Sequence, residues 1–375
     1  MKVSCFERLL ALGIIVSLFI PACGGGATSP EPTQAASPPT TLPEVKPTMA
    51  STGPVTVLEW SGYELQEFWQ PFADAHPDTT VDFSFFAEDA EAFAKLQTGF
   101  QADLVHPCNS WWKLYAENGL VQPIDTSRLK NWSGIIEVLA EEGQIDGKQY
   151  FIPWDWGYES ILVRTDKVKE VPDSWADLWD PQYAGHVSLW DSGESNFIMT
   201  ALSLGISPWQ ATPEQQKQVE EKLIEIKPNL LTYWVDFTEI PQIVGSGEAW
   251  LVANAWPDAY TTLLAEGVPV EYIEPKEGRL GWVCGYGISS QAQHVDLAYE
   301  YLDALIAPQS MANLANGYSY GAANVEALPL INPDYIQALQ LDQPDVMNRT
   351  VFFQALTEEQ RQIFTSVWDA VKAAP

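Results

Sequence analysis

Strand and helix signals alternate from Val55 to Gly119, and this alternation restricts the possible folds more than any other feature of the chain. Val55 to Trp60 reads as a strand, and Leu65, Phe68, Trp69 and Phe72 then recur at helical spacing, with Pro71 marking a break or a new start. Val81 to Phe86 reads as a second strand, and Ala90, Phe93 and Leu96 as a second helix. Asp103 to Val105 is a short buried strand and Trp112 to Glu117 a third helix, closed by Gly119. The order βαβαβα predicts a mainly parallel sheet covered by helices on both faces.

A second series begins near residue 160. Ser174 and Asp177 open a short helix in capping-box style, and Val187 to Trp190 is a strand. Asn196 to Leu204 is a helix stopped by Gly205. Thr212-Pro213 supplies an N-cap and a first-turn proline for a helix reaching Ile226. Leu230 to Val235 and Ala249 to Ala255 read as strands, and Pro257 to Ala265 as a helix ended by Gly267. Between and after the two series lie Phe151 to Gly157 and Gly281 to Gly287, apolar runs interrupted by Pro or Gly. Each reads as a segment crossing between two lobes or as an ordinary core strand broken by glycine.

The N-terminus has a different character. Lys2 and Arg8 precede an apolar run from Leu9 to Ile20, which falls short of the roughly 20 residues needed to span a membrane. Residues 1–22 therefore read as a secretory signal. The run ends in Ile20-Pro21-Ala22-Cys23, which resembles a bacterial lipobox and implies lipidation at Cys23; an ordinary cleaved signal with an incidental cysteine is the alternative. From Cys23 to Gly53 the chain is built mainly from Pro, Ser, Thr, Gly and Ala, with only Glu31, Glu44 and Lys46 charged. Such a stretch cannot bury enough apolar surface to fold, so it reads as a tether.

The net charge of −31 excludes nucleic acid as a natural partner, and reads chiefly as solubility. Of the four cysteines, Cys5 and Cys23 fall in or beside the signal, leaving Cys108 and Cys284. In an exported protein these two can pair, although their separation in the chain does not fix whether they meet. His106-Pro107-Cys108 is a weak candidate for a soft metal site, and Tyr318-Ser319-Tyr320 resembles paired-tyrosine ferric sites only loosely, so no metal or cofactor is expected. The four histidines have no metal-ligand spacing. Neither a G-x-S-x-G elbow nor a phosphate-binding glycine loop is present, and nothing among the 50 acidic residues selects a glycosidase pair. No catalysis is expected. Aromatic residues gather instead at the predicted carboxyl ends of strands, where open α/β sheets place ligands. They are Trp60, Tyr63, Trp111, Trp112, Trp154, Trp156, Trp190, Trp256 and Trp282.

The segments Leu58-Glu59-Trp60-Ser61-Gly62-Tyr63, Ala102-Asp103-Leu104-Val105, Gly119 to Asp125, Ser174 to Trp179, Gly247-Glu248 and Pro275-Lys276-Glu277-Gly278 follow one another as in a known family. The chain resembles the spermidine/putrescine-binding proteins of ATP-binding-cassette importers. The resemblance implies a two-lobed α/β clam shell of the periplasmic-binding-protein type II. Residues 54–157 with 283–325 would form one lobe, and 158–282 with 326–375 the other. It further implies an aromatic ligand cleft that includes Trp60, Tyr63, Trp282 and Tyr318, with Gln354 nearby, and hinge closure that delivers the solute to permease subunits; Trp256, one of the aromatics at the strand ends, is a further ligand-binding candidate.

The family's amine-gripping aspartate falls on Cys284, and serines of the Asp191 to Ser195 segment replace an acidic pair. Cys108 also falls on a cleft position, so a disulfide across the cleft wall is implied. Asp155, Glu159, Asp191, Glu194 and Asp258 are then the acids available to hold amines in a shifted arrangement. We expect a monomeric, lipid-anchored receptor in the periplasm or on the outer face of the cytoplasmic membrane, binding a small organic cation such as a polyamine. The alternatives are a non-polyamine solute, or a lipoprotein that presents its ligand to a sensor.

Overall fold

The computed structural model describes residues 53–375, apart from Phe237 and Pro344. The signal, Cys5, Cys23 and most of the tether lie outside the described residues. Strand β1 (Val55–Trp60) pairs in parallel with β2 (Val81–Phe86) and with β3 (Leu104–Val105). The connecting helices are Gln70–Ala75 and Asp89–Gln97, and Pro71 sits in the first turn of a new helix after a short 3-10 turn at Gln66–Phe68. After the helix Asn109–Glu117 come β4 (Val121–Gln122) and a small hairpin of β5 (Gln144–Ile145) with β6 (Lys148–Gln149).

Strand β7 runs unbroken from Phe151 to Arg164 and is buried along its whole length. A second parallel set follows: β8 (Val187–Trp190) lies between β9 (Leu230–Trp234) and β10 (Leu251–Ala255), and β10 pairs antiparallel with the far half of β7, as does β11 (Val270–Tyr272). Strand β12 (Arg279–Ser289) pairs antiparallel with β7 from Leu280 beside Glu159 to Gly287 beside Phe151, and also with β3. The strand order is therefore β2-β1-β3-β12-β7-β10-β8-β9. Two parallel sets are joined through one antiparallel pair. Short strands β13 (Gly321–Ala322) and β14 (Thr350–Phe352) add to β7 and β12.

Local chemistry explains the boundaries. Ser174 and Thr212 form complete capping boxes with Asp177 and Gln215, satisfying N–H groups that the first turn leaves without partners. The helix expected from Asn196 instead spans Gly193–Ser203, because the Ser192 side chain accepts from the Ser195 N–H and starts it one turn early. Two apolar cores result. One lies under β1, β3 and the nearer half of β7, and the other is built from Ile161, Val163, Leu189, Phe197 and the C-terminal helix Glu358–Ala373. No helix among the described residues is long and apolar enough to cross a membrane.

Candidate ligand-binding site

Tyr63, Tyr318, Tyr320 and Trp282 form a continuous ladder of rings. Tyr63 stacks on Tyr318 at 5.0 Å, Tyr318 on Tyr320 at 5.8 Å, and Tyr320 meets Trp282 edge-on at 4.8 Å. The chain is shaped to allow this. Gly62 has φ +102°, and the Tyr318 hydroxyl donates to its carbonyl at 2.8 Å, leaving no room there for a Cβ. Ser319 adopts the left-handed conformation between the two tyrosines, held by the Thr261 hydroxyl at 3.0 Å. Trp282 pairs in register with Gly157 and its ring covers that residue, where a Cβ would come within 2.5 Å of the indole.

Acids surround this ladder. Asp155 and Glu159 stand two residues to either side of Gly157 on β7, so strand alternation puts both on the face that Trp282 covers. Both are 1% exposed. Burial pushes Glu159 up to about 8, despite the Ser195 hydroxyl donating to it at 3.2 Å and the Asn254 side chain close by. Burial also raises Asp258, to about 6, and its charge acts on the Tyr320 phenol. No basic side chain among the described residues offsets Glu159 or Asp258.

Asp155 belongs to a second arrangement. His106 Nδ1 lies 2.6 Å from Glu59 and its Nε2 3.4 Å from Asp155, while the Tyr286 hydroxyl donates to Glu59 at 2.6 Å. Burial opposes a charged imidazole, but the charge of Glu59 and bonding to Asp155 together push His106 up to about 9. Its ring packs edge-on to Tyr63 at 5.5 Å, so this network supports the ladder from behind.

Cys108 and Cys284 form a disulfide, their Cα atoms 3.9 Å apart. Cys284 sits beside Asp155 in the β7–β12 register. The backbone N–H of Cys108 donates at 3.1 Å to Asp89, which burial raises to about 7. Glu194, raised by burial to about 7 as well, faces the same region, and Arg361 draws both acids down. Among the described residues no cluster of His, Cys, Asp and Glu is arranged to hold a metal, and Cys108 is committed to its partner.

The remaining expected residues divide. Trp60 spans from β1 to donate its indole N–H to the His106 carbonyl at 2.8 Å and packs on Phe86. Trp256 meets Trp190 edge-on at 5.2 Å, extending aromatic surface toward Asp258 on the following helix. The Asp191 carboxylate accepts from the Trp368 indole at 2.7 Å and from Lys372 at 3.0 Å, so it anchors the C-terminal helix. Gln354 is exposed, in the segment following β14. Trp112, Trp154 and Trp156 are core residues, at most 1% exposed. The sequence did not single out Asn254 or Tyr320 as candidate ligand contacts, nor Glu59 as part of the support behind them. Only an alignment of β10 with β7 would have revealed Asn254.

The profile of bacterial extracellular solute-binding proteins matches residues 67–341, well over half of the chain. The chain belongs to that family. Over 258 residues it is 28% identical to the spermidine/putrescine-binding periplasmic protein of Escherichia coli, a match covering 68% of this chain and 73% of that one. Among solved structures, the spermidine/putrescine transporter substrate-binding protein PotD of Streptococcus pneumoniae superposes with a TM-score of 0.74 at 18% identity, over 85% of this chain and 98% of the other. The Tp0655 (TpPotD) lipoprotein of Treponema pallidum gives 0.72 at 19%, over 84% and 98%. These likenesses bear out the two-lobed, type II solute-binding fold. As a member of this family the protein is a solute-binding component.

Proposed function

We propose that the protein is the solute receptor of an ATP-binding-cassette importer and that it binds a small polyamine-like organic cation against the Tyr63–Tyr318–Tyr320–Trp282 ladder. The observation that carries this reading is a pair of acids, Glu159 buried and Asp258 partly buried, set beside the rings with no basic side chain among the described residues to balance them. An isolated buried carboxylate is costly, and a ligand ammonium supplies both the opposite charge and the hydrogen bonds. Aromatic faces add attraction for the same charge. The relatives' names, which refer to spermidine and putrescine, point the same way.

In this reading Cys23 carries the lipid anchor, the protein works as a monomer outside the cytoplasmic membrane, and no chemistry is done on the ligand. The lobes are 54–157 with 283–325 and 158–282 with 326–375. Their boundaries coincide with the register pair Gly157–Trp282, which supports a hinge there and closure by bending of β7 and β12. Asp155, Glu194 and Cys284 line the same region as Trp282.

A thermal-shift panel tests the reading. Putrescine or spermidine at 100 times its dissociation constant should add about 2.7 kcal/mol, a rise of several degrees. A shift with neutral sugars or acidic amino acids, and none with any amine, would overturn it.

A pH dependence follows. Burial holds the Glu159 proton up to about pH 8, and an ammonium must displace it. Amine affinity should therefore fall by up to about tenfold per unit as pH drops below 8, with proton release on binding at pH 7. Calorimetry in buffers of different ionisation enthalpy would detect the released proton, and pH-independent affinity between 6 and 8 would exclude Glu159 from the site.

A further inference from the structure

We propose that Glu159, Asn254 and Ser195 form a subsite for an ammonium group that carries N–H bonds, so that the protein takes primary and secondary amines and rejects quaternary ammonium ions. The inference rests on the cation reading above and goes further, to which kind of cation. Aromatic rings alone would not discriminate, since they attract a trimethylammonium as readily as a protonated amine. The acceptors behind the rings do discriminate.

Three elements bring them together. Glu159 lies on β7, Ser195 in the first turn of the helix Gly193–Ser203, and Asn254 on β10. Ser195 donates to Oε1 of Glu159 at 3.2 Å and fixes that carboxylate at the positive end of the helix. The other oxygen, Oε2, is buried and has no hydrogen-bond partner. Asn254 is fully buried beside Glu159, where its side chain makes a weak hydrogen bond that draws the Glu159 pKa down against burial, and neither its amide oxygen nor its amide nitrogen completes a bond of full geometry.

The strand is irregular at Asn254. Its φ is +57°, and it sits where the β7–β10 register shifts between Val252 and Ala255. A bulge of this kind re-aims one side chain out of the alternating pattern, and asparagine is among the few residues besides glycine that take up left-handed backbone readily. Here the re-aimed side chain is the amide beside Glu159. An ammonium with N–H bonds can donate to Oε2 of Glu159 and to the Asn254 oxygen at once. A trimethylammonium has nothing to donate and would leave both acceptors buried and unpaired.

The test is calorimetric titration of the purified protein with putrescine and with its permethylated counterpart, 1,4-bis(trimethylammonio)butane. Putrescine should bind and the permethylated dication should bind at least roughly 100-fold more weakly. Asn254→Gly removes the amide at a position where glycine relieves the backbone. It should keep or raise the melting temperature while weakening putrescine roughly 10- to 100-fold, and Glu159→Gln should weaken it at least as much. Comparable binding of the two dications, or wild-type putrescine affinity in both variants, would overturn the subsite while leaving the cation reading standing. If the unaltered protein binds neither dication, the cation reading itself falls and takes the subsite with it.

Discussion

Replacing His106 by leucine is expected to lower the stability of the protein by about 3–5 kcal/mol, the usual range when one member of a buried charged group is removed. Glu59, His106 and Asp155 are at most 1% exposed, and the imidazole is the bridge between the two carboxylates. Without it, two acids remain buried with only the Tyr286 hydroxyl and the backbone N–H of Trp60 in reach of Glu59. The pH dependence follows from His106 being held up to about 9, above its unfolded value of about 6.5. A raised histidine stabilises fully below the unfolded value, and that contribution fades as pH rises through the folded one. Urea unfolding of the wild type should therefore show a steeper loss of stability between about pH 6.5 and 9 than the His106→Leu variant, whose remaining slope comes from buried acids such as Glu159. Identical slopes for the two proteins across that window would mean that the imidazole is neutral.

The second large effect concerns the disulfide. Cys108 and Cys284 are 176 positions apart, so the bond closes a long loop in the unfolded chain, for which the chain-entropy account gives about 5 kcal/mol. Measured losses on removing native disulfides are about 2–5 kcal/mol, or roughly 3–8 °C in a protein of this size. Scanning calorimetry of the Cys108→Ser/Cys284→Ser double variant, beside wild type with and without reductant, should give one lowered melting temperature for the variant and the reduced wild type. A change under 1 °C in both would show that the link does not stabilise the fold. Because Cys284 neighbours Asp155 and Cys108 holds Asp89, the same variant should also loosen the wall of the binding region.

Features that depend on neighbours in the chain were legible in the sequence. Ser174 with Asp177, Thr212 with Pro213, and the stops at Gly119, Gly205 and Gly267 act within one turn, and each appears where the pattern placed it. The two glycine-broken apolar segments could be singled out, yet their mutual pairing could not, because β7 and β12 meet only through the fold. The site was harder still. Trp60, Tyr63, Trp282 and Tyr318 carry recognisable surroundings, whereas Glu159 looks like any acid in a strand until Ser195 and Asn254 are brought to it. Asp191 shows the reverse case, since no local signal announces that Trp368 and Lys372 occupy its carboxylate.

The antiparallel pair at the centre of the molecule also governs how the chain can reach its native state. Phe151 finds its partner at Gly287, and Gly281 then receives the Phe353 N–H, so the middle of the sheet waits for sequence that is synthesised much later. Contacts so distant along the chain must overcome a large closure entropy before they return any stabilisation, which makes folding slow. Until β12 arrives, β7 presents a fourteen-residue, largely apolar strand with an open edge, the kind of surface that holding chaperones shield. The strand pair that unites the two sheets is thus also what keeps the nascent chain unfolded longest.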